Sequence, residues 1–175
     1  IYMVGGAIGA DGIHGATFSS LELDENSPAT AVQIGDPITQ KRVMDFMMVA
    51  RDRGLFTSVT DNGAGGLSSS VGEMAELTGG ALVDLSKAPT KYPGLKPYEL
   101  FISESQERMT FSVHSSMGHE FESLAKEYSV SASDIGEFTD SGYLELRYGV
   151  ELCGKLDLDF LHNGLPQMKL ESQWD

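Results

Sequence analysis

Apolar positions along this chain fall into two alternating periods. Tyr2-Met3-Val4 is a short apolar run leading into a glycine-rich stretch over 5–12, which predicts a strand and then a loop. Residues 24–30 are polar and read as a loop, and Ala31-Val32-Gln33-Ile34 as a short strand. Asp36-Pro37 is a helix start, an Asp cap with Pro at the first helical position, and Val43, Phe46, Met47 and Ala50 then form one apolar face before Gly54 stops the helix. A second strand over 56–60 runs into Asp61-Asn62-Gly63-Ala64-Gly65-Gly66, followed by a helix over 67–77 with Val71, Met74, Ala75 and Leu77 turned inward. Gly79-Gly80 ends that helix, and a strand follows over 81–85.

The pattern continues with a proline-bearing loop over 87–97 and a short helix from Pro97 carrying Tyr98, Leu100 and Phe101. A strand is expected over 108–113 and a helix over 117–128 with Phe121, Leu124 and Tyr128 on its apolar side. Asp140-Ser141-Gly142 between apolar runs 134–139 and 143–148 reads as a hairpin turn, and 152–156 as one more strand. Strands alternating with helices predict an α/β (α+β layered) fold with a mixed sheet packed with helices. One domain is expected over 1–160, with 161–175 a linker or packing arm, since 175 residues suit a single core. The chain lacks an initiator Met and starts as a strand already under way, which suggests a piece of a longer polypeptide.

Charge narrows the function. Twelve basic against 26 acidic residues give a formal charge of −14, which disfavours nucleic acid and anionic membranes as partners. The single cysteine, Cys153, excludes an internal disulfide and a cysteine-built zinc site.

Three segments carry candidate chemistry. In the first, a strand delivers Asp61 to a loop of glycines that opens a helix, whose free N–H groups suit an anion, and whose carboxylate suits a hard cation such as Mg²⁺. Neither standard nucleotide fingerprint matches, and a tight turn with Asp61 capping the helix is the alternative. In the second, Ser103-Glu104-Ser105-Gln106-Glu107 sets hydroxyl, carboxylate and amide groups side by side, as a ligand rich in hydroxyls and amides needs. Its alternative is an exposed connection with Arg108 paired to a neighbouring Glu. The third, Asp11-Gly12-Ile13-His14, places an acid and a histidine near glycines, though His14 reads more simply as structural. Gln33 is a candidate pocket amide, His114 and His119 are read as surface, and Met44, Met47, Met48 and Met74 as core filler.

Taken in order, Asp11-Gly12-Ile13-His14-Gly15-Ala16, Val32-Gln33-Ile34-Gly35-Asp36-Pro37, Asp61-x-Gly63-Ala64-x-Gly66-Leu67-Ser68-Ser69 and Ser103-Glu104-Ser105-Gln106-Glu107-Arg108-Met109 resemble the phosphoribosylformylglycinamidine synthase family of purine biosynthesis. Asn62, Gly65 and Ala7-Ile8 are small departures from the family pattern.

The resemblance implies an aminoimidazole ribonucleotide synthetase C-terminal-domain-like fold, with this chain as the C-terminal subdomain of the synthetase's first half. It implies an ATP-dependent amidation, in which the amide oxygen of formylglycinamide ribonucleotide attacks the γ-phosphate and glutamine-derived ammonia displaces phosphate. Carried over by motif, Asp61 is a Mg²⁺ ligand and Gln33, Glu104, Ser105 and Gln106 contact the substrate, with the catalytic His and most ATP contacts on a preceding subdomain. A glutaminase subunit or domain, the remaining synthetase subdomains and a cytoplasmic location are implied with it. The rival readings are another synthetase of the superfamily, such as aminoimidazole ribonucleotide synthetase, and a non-catalytic interaction module. The latter gains if Asp61 and residues 104–106 face apart.

Overall fold

Strand β1 (Tyr2–Gly5) is buried along its whole length and sits inside a four-stranded antiparallel sheet of order β2-β4-β1-β5. The computed structural model describes residues 1–13 and 35–174. β2 (Ser58–Asp61), β4 (Arg108–Ser112) and β5 (Ala132–Asp134) complete this first sheet, with Tyr2 opposite Phe111, Met3 opposite Thr110 and Asp61 opposite Met109. Successive side chains of a strand point to opposite faces, so β1 feeds two cores. Tyr2 and Val4 join one cluster, Ile1 and Met3 the other.

The Tyr2 face is covered by helices α1 (Pro37–Asp52) and α4 (Gly118–Glu127). The expected start of α1 is observed: the Asp36 carboxylate accepts hydrogen bonds from the Thr39 N–H (3.1 Å) and hydroxyl (2.7 Å), and Pro37 occupies the first turn. These hydrogen bonds hold the Asp36 carboxyl below the ordinary carboxylate range. Val43, Phe46 and Ala50 of α1 are buried, as their spacing requires. Phe46, Phe111 and Phe121 meet edge to face at centroid distances of 5.0–6.0 Å, the geometry aromatic rings prefer.

The Met3 face is covered by α2 (Leu67–Thr78), by α3 (Pro97–Ile102) and by a second sheet of order β6-β3-β7-β8. In it β3 (Ala81–Asp84) runs parallel to β7 (Tyr143–Tyr148), while β6 (Gly136–Phe138) and β8 (Glu151–Asp157) pair antiparallel to their neighbours. The mixed α/β layering is therefore as expected.

Four details differ. The run 134–139 is split: β5 belongs to the first sheet and β6 to the second. β6 and β7 are not a hairpin, because β3 lies between them. The 139–142 loop wraps the start of β3 instead, with the Thr139 and Gly142 N–H groups donating to the Gly80 and Gly79 carbonyls. Leu77 is 83% exposed rather than inward. Finally, a helix forms where none was expected, α5 (Leu158–Asn163): Asp157 caps it through Phe160 N–H (2.9 Å), Leu158 is buried, and His162 Nε2 lies 3.2 Å from the Gly72 carbonyl of α2. Among the described residues no helix is long and apolar enough to cross a membrane.

Candidate functional site

The C-terminal end of β2 and the N-terminal end of β4 are neighbours in an antiparallel pair, so the sheet itself brings the Asp61 loop beside the 103–107 segment. Asp61 lies on the face of Met109, towards α1. Between them opens a cleft of about 420 Å³, within the range of small-ligand sites, lined by Asp61, Gln106, Glu107 and Met109 on one side and by Gln40, Met44 and Met47 of α1 on the other. Asp61 and Gln106 thus share a wall, whereas Glu104 and Ser105 do not line this cleft.

Asp61 is exposed, and its Oδ1 accepts from the Gly63 N–H at 2.8 Å. It does not cap α2: the cap position is Gly66, with no side-chain cap. The alternative reading of Asp61 as a helix cap therefore falls away. Gly66 holds φ +57° and ψ −133°, a backbone region open to glycine, and a Cβ there would lie 2.0 Å from the Ser103 carbonyl oxygen. The glycine loop and the 103–107 segment are in backbone contact, and only glycine permits it. The Gly65 N–H donates to Glu104 Oε1 at 3.1 Å, a second tie between the two segments.

Within the segment, side chains alternate. Ser103 and Ser105 are buried and turned to the 5–12 loop. The Ser103 hydroxyl donates to the Gly9 carbonyl (2.7 Å), the Gly9 N–H donates to Ser105 Oγ (2.9 Å), and the Ser105 hydroxyl donates to the Asp11 carboxylate. Lys91 completes the group with an ammonium 2.7 Å from Asp11. Glu104 is partly exposed, and Gln106 is exposed at the cleft with its amide donating to the Glu104 carbonyl at 2.7 Å. The Glu107 carboxylate accepts from the Asp36 N–H (3.1 Å), which ties the start of α1 to the segment.

Arg108 is not an exposed partner of a neighbouring Glu. It is 3% exposed, and its Nε and Nη2 each donate at 2.6 Å, to the carbonyls of Ser105 and Ser103. Burial lowers its pKa to about 10, against the opposing pull of Asp11. Asn62 is likewise buried beneath the cleft, its Oδ1 accepting from the Ser70 and Thr110 hydroxyls, and its Nδ2 has no hydrogen-bond partner among the described residues. Among the described residues the buried polar side chains are Asn62, Ser70, Ser103, Ser105, Arg108 and Thr110, and each belongs to one of the segments that build this site.

Gln33, His14 and the expected strand at 31–34 lie outside the described residues. Among the described residues no three His, Cys, Asp or Glu side chains converge as a metal cluster. His114 and His119 are exposed, as read, and Met74 is core filler. Met44 and Met48 are not filler: Met44 is 51% exposed and, with Met47, forms the apolar wall of the cleft. A signal was available, since Gln40, Met44 and Met47 recur at spacings of four and three, one stripe beside the core face of α1.

Comparison with known proteins identifies the family and the fold. A family model described as AIR synthase related protein, C-terminal domain, matches residues 1–149. The phosphoribosylformylglycinamidine synthase subunit PurL of Methanopyrus kandleri is 37% identical over 99% of this chain, and that of Staphylococcus aureus 38% over 99%. The chain spans about a quarter of either relative, 24% of its length. The solved structure of Thermotoga maritima PurL complexed with FGAR superposes with a TM-score of 0.87 at 28% identity, covering 99% of this chain and 29% of that one.

Proposed function

The chain belongs to the AIR synthase related protein family, of which it carries the C-terminal domain, and we propose that it is the C-terminal subdomain of the first half of a phosphoribosylformylglycinamidine synthase. In that role it supplies one wall of the pocket in which formylglycinamide ribonucleotide is amidated at the expense of ATP. The observation that carries the reading is the shared cleft of Asp61 and Gln106, floored by hydrogen-bonded buried polar groups and walled by α1. A relative bearing that name aligns over 99% of the chain, and Thermotoga maritima PurL was solved complexed with FGAR and, at a TM-score of 0.83, with ATP. The remaining synthetase subdomains complete the pocket, and a glutaminase subunit or domain delivers ammonia. The enzyme works in the cytoplasm, and residues 161–175 lead to the next subdomain.

Asp61 fits a Mg²⁺ contact. One carboxylate oxygen is committed to the Gly63 N–H, and the other makes no hydrogen bond among the described residues. Mg²⁺ takes one or two carboxylates and completes its shell with phosphate oxygens and water, so a lone exposed carboxylate beside a substrate cleft is a suitable contribution. Asp61 would hold the Mg²⁺, which when bound would supply charge neutralisation for the transferring phosphoryl group. Gln106, Glu104 and, outside the described residues, Gln33 hold the ribonucleotide by its hydroxyl and amide groups, so that its amide oxygen is oriented for attack. Ser105, expected by motif as a substrate contact, is fully buried with its side chain engaged by Asp11 and Gly9, and its contribution is to fix the segment that carries Glu104 and Gln106.

The test is Asp61→Asn in the complete synthetase. Turnover falls by about 10²-fold or more at fixed Mg²⁺, in keeping with the loss of a charge-stabilising group, while the thermal transition stays put. Unchanged turnover and Mg²⁺ dependence remove Asp61 from the site. The chain alone, given ATP, ribonucleotide and ammonia, produces no amidine.

A further inference from the structure

Arg108 is a buried cation that makes no ion pair among the described residues. Such a group is costly in a protein interior, where charges are ordinarily paired. Its guanidinium reaches back along its own chain to the carbonyls three and five positions earlier, both at 2.6 Å, while Nη1 rests 3.8 Å from Met3 Sδ. We propose that Arg108 is a positioning residue for substrate binding: its fork turns the carbonyls of Ser103 and Ser105 inward and so directs Glu104 to the glycine loop and Gln106 to the cleft.

The alternation of the segment follows from this clamp. With the carbonyls of 103 and 105 held at one guanidinium, the Ser103 and Ser105 side chains lie against Gly9 and Asp11, and the intervening Glu104 and the following Gln106 are left to the glycine loop and the cleft. The turn is then locked from both ends. Gly66 abuts the Ser103 carbonyl, and Gly5, at φ +109°, abuts the Glu107 carbonyl, where a Cβ would approach to 2.1 Å. Glu107 itself adopts φ +57°, a left-handed backbone uncommon for a side chain of its kind. A lysine could not substitute: its ammonium is a point charge, whereas the planar fork of arginine addresses two acceptors in fixed directions. At neutral pH the guanidinium remains charged even with its pKa lowered to about 10, so its hydrogen bonds are of the stronger, charge-assisted kind.

The role rests on the reading of 104–106 as a substrate wall, and the experiment separates the two. In the complete synthetase, hydrogen exchange of the wild-type protein comes first. The amides of Ser103, Glu104 and Ser105, which donate to Glu99, Asp11 and Ser103, are as protected as those of β4 although the segment lacks regular structure, and fast exchange there overturns the clamp whether or not any variant folds. Arg108→Lys then raises the KM for the ribonucleotide about tenfold, as expected of a small misplacement of contact groups, and leaves the KM for ATP within twofold. Gln106→Ala raises the same KM, and adding it to Arg108→Lys brings little further loss because both act through one contact. If Gln106→Ala alone leaves that KM unchanged, the substrate-wall reading fails. If Gln106→Ala raises it and Arg108→Lys does not, or if Arg108→Lys weakens both substrates and turnover equally, the positioning role fails.

Discussion

The two sheets of this protein meet solvent differently. The first is covered on both faces, and one of its ends gathers Asn62, Ser70, Ser103, Ser105, Arg108 and Thr110 into a buried polar cluster. The second buries one apolar face through Val83, Leu144 and Leu146, and ends in an edge strand, β8, that is exposed or half-exposed along its length. Buried polar groups are costly unless bonded, as these are apart from Asn62 Nδ2 among the described residues, whereas an exposed edge costs little and demands little. A chain concentrates such groups at one sheet end when it must hold backbone and side chains in one arrangement, and the candidate site is that end. Stability and function are therefore predicted to separate spatially: the aromatic face of the first sheet holds the fold, its polar end shapes the site, and β8 contributes to neither.

The largest expected effect is on the aromatic face. Phe121→Ala removes a fully buried ring packed against Tyr2, Phe46 and Phe111, and destabilises the chain by about 3–5 kcal/mol in urea unfolding. A loss below 1 kcal/mol would mean that the second sheet carries more of the fold than this comparison allows.

Next comes the polar end. Gly66→Ala forces a side chain into a glycine-only backbone region and onto the Ser103 carbonyl, and costs about 1–3 kcal/mol from backbone strain alone. In the complete synthetase the same change lowers turnover by more than its stability cost explains, because the loops bearing Asp61 and Glu104 are pushed apart. If the variant is destabilised but turns over normally, the contact between these loops belongs to the fold and not to the site.

The elements governed by local chemistry were legible in the sequence. Asp36 and Pro37 announce α1, and the spacing of Val43, Phe46 and Ala50 states which face is buried. The strand–glycine–helix order around Asp61 pointed to one half of the candidate site, and the polar run at 103–107 to the other. What stayed hidden was decided at long range. Asp140-Ser141-Gly142 has hairpin chemistry, yet β3, some sixty residues earlier, takes the place between β6 and β7. The hairpin that does form, β7 with β8, turns at Gly149, whose φ of +62° suits a tight reversal. Arg108 reads as a surface charge because nothing in its own neighbourhood reveals that two carbonyls of the preceding turn will enclose it. Burial of a charge is a property of the assembled fold.

The smallest effect is expected at β8, and it sharpens the contrast most directly. Leu152 is 53% exposed on this edge strand, with Val150 and Leu156 also showing apolar surface. Leu152→Lys removes no core contact, so the unfolding free energy of the chain in urea changes by no more than about 0.5 kcal/mol and the midpoint barely moves, as is usual for surface positions. The same substitution places a charge on an apolar edge, the device by which proteins discourage edge-to-edge pairing, so solubility at high concentration should rise. Midpoint and solubility respond to different physics, burial in one case and intermolecular strand pairing in the other. A large drop in midpoint would show that β8 is part of the stabilising core, and the assignment of stability to the first sheet would have to be given up.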